Sequence, residues 1–282
     1  MPEQELQKSK TDTVKEMMLR HKAEFAAVLP RTISVERLAR VVTTTMRKNP
    51  ELLNCTPASI LGCVMESSIL GLEPDSNLGH AYLVPFKNNK KRVTECQLIP
   101  GYRGYIKLAK QSGDVEGIYA DVVWSCDTFE MERGTSPRLK HVQNDAGRTE
   151  DDAEPIGTYA VATFPSGNRQ FEWVSAAEVE KIKKRSMAGS RGYGPWAHPD
   201  DVWMMWRKTA VRRLCKYLAL TPVMDKAVGL DDLHEAGMSQ NMAKVLTEYE
   251  VSDDVDIEPE PPTEEEEAAT QSTVDAFLQK DN

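Results

Sequence analysis

Three groups of basic residues stand at spacings that suit a polyanion, and one of them is interleaved with aromatic rings. Residues 200–218 read as the strongest helix of the chain. At 100° per residue Val202, Trp206, Ala210, Leu214, Tyr217 and Leu218 share one broad side, while Lys208, Arg212 and Lys216 recur at i, i+4 and i+8 on the other. Arg207 and Arg213 fall at the edges of the apolar side. A row of three such cations is roughly 12 Å long at about 1.5 Å per residue, enough to follow a phosphate backbone. Like charges at i, i+4 cost a few tenths of a kcal/mol per pair, and no acidic residue within the row relieves them, which favours an anionic partner. A solvated basic face has the same spacing.

The second group lies in residues 101–110, where Arg103, Lys107 and Lys110 recur at helical intervals between Tyr102 and Tyr105. Single strands use this combination, because bases stack on rings while phosphates pair with Lys and Arg. The alternative is that both tyrosines pack in a core beneath solvated cations. The third group, Lys87, Lys90, Lys91 and Arg92, occupies a polar turn, where solubility is the plainer role.

Covalent chemistry finds little support. There is no Gly-x-x-x-x-Gly-Lys-Ser/Thr phosphate loop. Gly189, Gly192 and Gly194 follow a helix rather than a strand, a weak phosphate-loop candidate. No Asp-x-Lys or Glu-x-Lys triplet of the commonest restriction-type nuclease site occurs. His21, His80, His141, His198 and His234 lack metal-ligand spacing. Asp121, Asp127, Glu130 and Glu132 could gather around Mg²⁺, but on a strand pair they are expected to point to solvent. The five cysteines are scattered without a Cys-x-x-Cys pair, which suits reduced thiols in a cytoplasmic setting. No apolar run reaches membrane-spanning length, and the N-terminus lacks the features of a signal peptide.

The net charge of −9 over 282 residues is unevenly placed. Residues 245–282 hold 13 acidic side chains against one lysine, which leaves 31 acidic and 34 basic residues upstream. A mildly basic body with an acidic tail is compatible with phosphate binding.

The elements that must position these residues fall in a definite order. Helices are expected over 13–27, from the N-cap Ser34 to 48, and from Thr56-Pro57 to a stop at Gly71. A hairpin follows, 81–86 with 94–99, then a short helix over 102–111 and strands over 115–124 and 129–133. Polar residues 144–155 read as a flexible loop or finger. A second hairpin pairs 156–164 with 170–174, and the capping box of Ser175 and Glu178 opens a helix to about 187. Residues 188–195 suit a mobile loop before the 200–218 helix. From 252 onward acidic residues, Pro and Thr dominate, as expected of disorder, with Val274, Phe277 and Leu278 a candidate docking motif at the tip. The fold class expected is α+β: a helical N-terminal region, a central antiparallel sheet, then C-terminal helices and the disordered acidic tail.

Several blocks in register resemble the RecT family of single-strand annealing proteins. They are Gly71-Leu-Glu-Pro74, Leu78-Gly-His-Ala-Tyr-Leu-Val-Pro-Phe86, Gln97-Leu-Ile-Pro-Gly-Tyr-Arg-Gly-Tyr-Ile-Lys-Leu-Ala109 and Trp206-Arg-Lys-Thr-Ala-Val-Arg-Arg-Leu-Cys-Lys-Tyr-Leu218, with weaker similarity back to Leu29. The resemblance implies a phage-type recombination protein related to Redβ, built around a β-β-β-α core over residues 29–220. It would follow an N-terminal helical extension over 1–28 and precede a C-terminal helical segment over 221–251 and the tail over 252–282. It also implies a homo-oligomeric ring or filament that anneals complementary single strands in a bacterial cytoplasm. No ATP would be used, with Mg²⁺ at most a modulator. Carried onto this sequence, the DNA contacts would be Arg103, Lys107, Lys110, Arg207, Lys208, Arg212, Arg213 and Lys216, with Tyr102 and Tyr105. Tyr82, Phe86 and Trp206 are further aromatics of the same blocks; at least half of the five rings Tyr82, Phe86, Tyr102, Tyr105 and Trp206 are expected to be structural, and His80 is expected to be buried. Partners would be single-stranded DNA, the annealed duplex, and through the C-terminal region a companion exonuclease or the host single-strand binding protein. A metal-dependent nuclease and a coating protein that does not anneal are the alternatives.

Overall fold

The computed structural model describes residues 2–31, 33–74, 77–149, 153–190, 192, 194–218 and 221–248. The chain opens with four helices, α1 (Pro2–Arg20), α2 (Lys22–Val28), α3 (Val35–Lys48) and α4 (Pro57–Ile69). The Ser34 hydroxyl accepts the Arg37 N–H at 3.2 Å and caps α3, as its sequence position requires. Thr56 precedes α4 without capping it; its hydroxyl bonds Ser59 Oγ instead. Every residue of α4 from Ala58 to Ser68 is buried, so this apolar helix is the axis around which the N-terminal half packs. It stops where Gly71 adopts φ +66°, a left-handed conformation that glycine takes without steric cost. Leu72 N–H then reaches Ser67 O and Gly71 N–H reaches Ser68 O, satisfying carbonyls the helix end leaves open.

The hairpin β1 (Ala81–Asn88) with β2 (Val93–Pro100) is antiparallel, pairs Ala81 with Pro100, and turns through Arg92 at φ +54°. Next comes α5 (Tyr102–Gln111). Two glycines set its start: a Cβ on Gly101 would stand 2.2 Å from Gly79 O, and one on Gly104 would stand 2.1 Å from His80 O. Backbone thus lies directly on backbone where β1 begins and α5 begins, and this contact explains the glycines of both sequence blocks.

A three-stranded antiparallel sheet is formed by β3 (Gly117–Trp124), β6 (Pro155–Thr163) and β7 (Arg169–Ser175), in the order β3-β6-β7. Between the first two strands the chain inserts a separate hairpin, β4 (Thr128–Glu132) with β5 (Arg138–Val142). Strand β5 is not among the sequence expectations; its alternation of Arg138, Lys140 and Val142 outward carries no hydrophobic-strand signal. After β7, the capping box of Ser175 and Glu178 opens α6 (Ala176–Arg185), followed by α7 (Met187–Ser190) and α8 (Val202–Cys215). Helix α8 lies across one sheet face. There Ile118, Val122, Ala160, Ala162 and Val174 join Trp206, Ala210, Val211 and Leu214 in the core. The β-β-β-α unit is thus β3, β6, β7 and α8 within a mixed α+β fold. Helices α9 (Pro222–Glu235) and α10 (Ala243–Glu248) fold back onto β2, α5 and α4.

Several expectations need correction. The helix expected over 13–27 is two, α1 and α2, separated at His21, and the loop expected over 188–195 contains the end of α7 and the start of a 3-10 turn, Gly194–Trp196. Asp121 and Asp127 do not point to solvent; they are buried acceptors for Arg207 and Arg148. The first part of the expected loop 144–155 is tied down, since Arg148 Nη2 lies 2.6 Å from Asp127 and the Asn144 N–H reaches the same carboxylate. The acidic tail, its apolar tip, and Arg191 and Tyr193 lie outside the described residues. Among the described residues no helix is long and apolar enough to cross a membrane.

The contact of β1 with α5 gives a direct test. Gly101→Ala forces a methyl group into the Gly79 carbonyl, and a loss of about 2–3 kcal/mol is expected in urea denaturation, against no loss for Gly229→Ala, at an exposed position of α9 with open space around it.

Candidate nucleic-acid interface

The cations of α8 do not form an open row. Lys208 is buried, and its ammonium lies 2.7 Å from Asp231 Oδ1 on α9. Asp231 is wholly buried and also accepts the Tyr105 hydroxyl at 3.1 Å. Arg212 approaches Asp231 at 3.6 Å and pairs with Asp232 and Glu235. Burial works against the Arg212 charge, but Asp231 and Glu235 outweigh it and hold the guanidinium more basic than usual. The edge cations are engaged as well: Arg207 with Asp121 at 3.0 Å, and Arg213 with Glu178 at 2.9 Å and Glu172 at 3.4 Å. Lys216 alone of the row stays half in solvent, 4.0 Å from Asp232. The repulsion along the row is therefore relieved, by the helix that follows in sequence rather than by an absent anion. The expectation of a free basic face at 208, 212 and 216 is corrected accordingly.

Helix α5 divides its residues differently. Tyr105 is wholly buried, so its ring cannot receive a base. Lys107 donates to Gly71 O at 2.6 Å, at the carbonyl end of α4 where a cation is stabilised by the helix dipole. Arg103 and Lys110 are exposed and make no ion pair with another described residue. The Arg103 guanidinium stands 5.9 Å from the centre of the Tyr102 ring, with its Nε 3.4 Å from the Tyr102 hydroxyl. Tyr82 on β1 joins them, because Gly79 leaves both Tyr82 and Arg103 within van der Waals reach. It is 37% exposed, and burial together with the Asp201 carboxylate raises its phenol while Arg103 opposes the shift. Two tyrosine rings and a guanidinium thus meet at the surface where the hairpin adjoins α5. Phe86 and Trp206 belong to the buried set, and His80 is half-buried.

Sequence spacing passes over Lys181, Lys184 and Arg185 of α6, which are exposed at the end of that helix. The capping box locates the helix, but its basic end carries no aromatic neighbour to mark it. Among the hairpin-turn cations, Lys91 is held by Glu95 at 3.0 Å, while Lys87, Lys90 and Arg92 stay exposed. Among the described residues no group of three His, Cys, Asp or Glu is arranged to hold a metal ion. Asp127, between Arg148 and His141, is desolvated, yet these partners and two backbone N–H groups hold its carboxyl well below the usual range.

Comparison with known proteins adds to this geometry. The RecT family pattern matches residues 36–245. The chain belongs to the RecT family. It is 40% identical to Protein RecT of Escherichia coli K12 over 236 residues, which is 82% of this chain and 84% of that protein. It is 28% identical to the uncharacterized protein YqaK of Bacillus subtilis 168 over 77% of this chain and 69% of that one. Membership of the RecT family makes it a non-enzymatic single-strand annealing protein of DNA recombination, one that binds single-stranded DNA.

The ion-paired joint between α8 and α9 has a pH signature. His234, whose Nδ1 lies 2.8 Å from Gln97 Oε1, is pushed down to about 4 by burial and by Lys208. In an unfolded chain it titrates near 6.5, so the stability it contributes is full above that pH and is lost as pH falls through about 4. Thermal unfolding between pH 7 and 4 is expected to show a loss of about 3 kcal/mol from this group, and His234→Gln is expected to flatten that part of the curve.

Proposed function

We propose that one single strand is held across the junction of the hairpin and α5, with phosphates at Arg103 and Lys110 and bases against Tyr102 and Tyr82. The observation that carries this reading is the surface cluster of two tyrosines and one guanidinium, flanked by cations that carboxylates have not claimed. Lys107 and Lys216 extend the contact from its edges. Arg207 and Arg213 of α8 each keep part of their charge exposed beside their carboxylate partners and are assigned an auxiliary part in strand binding. Lys208, Arg212 and Tyr105 take the supporting part, fixing α5 and α8 in place through Asp231.

Annealing asks for no bond to be made or broken by the protein. It neutralises phosphates so that two polyanions can approach, and base pairing supplies the favourable free energy. Neither ATP nor a metal cofactor has a step to perform, and Mg²⁺ is assigned only a modulating part. The chain acts as a homo-oligomeric ring or filament in the cytoplasm of a bacterial cell, encoded by a phage or prophage. Its C-terminal region is assigned to partners, a companion exonuclease or the host single-strand binding protein.

The test is annealing of two complementary labelled oligonucleotides without ATP, with non-complementary strands as control. Complement-dependent acceleration that declines with salt is expected for the parent. Arg103→Ala with Lys110→Ala should weaken strand binding about tenfold or more at moderate salt, and Tyr102→Ala about fivefold, with unchanged thermal unfolding. Tight binding without acceleration would reduce the protein to a coat, and shortened strands in Mg²⁺ would make it a nuclease.

A further inference from the structure

The three-stranded sheet has a second face that the core does not use. Along β7, Glu172 and Val174 turn toward α8, so Phe171 and Trp173 turn away, as do Tyr119 on β3 and Tyr159 and Val161 on β6. The β4-β5 hairpin covers one end of this face: Phe129 stacks on Trp173 at 4.6 Å and His141 meets the Tyr159 hydroxyl at 3.2 Å. The other end is open. There the register sets Tyr119, Val161 and Phe171 side by side as one cross-strand row, with Gly117, Thr163 and Arg169 as the next. Tyr119 is 58% exposed, although its hydroxyl is already satisfied by Asp121 at 3.2 Å, and that carboxylate is neutralised by Arg207.

Two cations frame the open row along β7. Arg169 is exposed at its end, and Arg133, also exposed, reaches the β7 backbone at Trp173 O, 3.1 Å away. Successive outward residues on a strand stand about 7 Å apart, so Arg169 and Phe171 follow one another along one line, with Arg133 at its far end beside the covered Trp173. This arrangement meets the two needs of a single strand, flat faces for bases and cations for phosphates. A second protein copy fits it less well. One exposed ring, Tyr119, with the half-buried Val161 and Phe171, offers far less than the roughly 800 Å² per partner of a stable interface.

We infer that the open outer face of the sheet, built on Tyr119 and Phe171 with Arg169 and Arg133, is a second binding surface for single-stranded DNA. It receives the incoming complementary strand. The inference rests on the annealing reading above but uses residues separate from the Arg103 cluster, so that the two can fail independently. One surface retains the first strand while the other brings its complement near, and base pairing then transfers the second strand.

The experiment loads the full chain with a first oligonucleotide and adds a complement carrying 5-iodouracil, then maps photocrosslinks by mass spectrometry. Crosslinks of the complement to Tyr119 or Phe171 are expected, and crosslinks confined to Tyr82 and Tyr102 would overturn the inference. In parallel, Tyr119→Ala with Arg169→Ala should slow annealing by about fivefold or more while first-strand binding stays at the parent value. An unchanged annealing rate would overturn it. So would a smaller assembly in sedimentation with a normal rate, which would make the face a contact between copies. Failure of the parent to anneal at all would instead remove the underlying reading, and the crosslink map would then decide the second surface separately.

Discussion

A single buried carboxylate locks together the three helices α5, α8 and α9, and with them the surface that carries Tyr102 and Arg103. Asp231 draws together the Lys208 ammonium, the Arg212 guanidinium and the Tyr105 hydroxyl from two other helices, with no access to water. A carboxylate in that position is tolerable only because its charge is matched and its oxygens are hydrogen-bonded; removing one partner of such a set leaves an uncompensated charge and costs several kcal/mol. Its partners hold it below the normal carboxyl range in spite of complete burial. Helix α5 is thereby fixed against α8 and α9, and the exposed residues on α5 inherit that rigidity.

The cations of the chain consequently divide into two populations. Those on α8 act mostly on the protein itself: Arg207 on β3, Lys208 and Arg212 on α9, Arg213 on β7 and α6. Those near the first turn of α5 and the hairpin act outward. The division matters for annealing, since a protein that holds a strand too firmly with too many cations would not release a finished duplex. Buried pairs give a stable frame at any salt, while exposed cations give a grip that salt and base pairing can loosen.

Much of this is legible in the sequence wherever the signal is local. Ser34, the Ser175–Glu178 capping box and the Gly71 stop each act as their chemistry requires, because a cap depends only on residues within one turn. Both hairpins flanking the core show in their alternation. Strand β5 does not, since two of its three outward residues are charged and its pairing with β4 supplies the order. The α8 row misleads for a related reason. Its helical spacing is right, but the carboxylates that neutralise it come from residues 231–235, on a different element, and no one-helix projection contains them. Tyr105 is drawn into the candidate site by its neighbours in sequence, whereas its hydroxyl serves Asp231. The outer sheet face becomes visible only once the register sets Tyr119 and Phe171 on either side of Val161.

The salt dependence of single-strand binding tests the division of cations most directly. The slope of log K against log salt should become shallower by about 0.7 for each phosphate that the protein no longer neutralises. Replacing Lys208 and Asp231 together, by Gln and Asn, removes a cation while keeping the buried site neutral. The slope should then match the parent, whereas Arg103→Gln should lower it by about 0.7. A slope that falls by the same amount in the Lys208→Gln, Asp231→Asn protein, with its fold intact by circular dichroism, would place Lys208 on the phosphates and contradict the account.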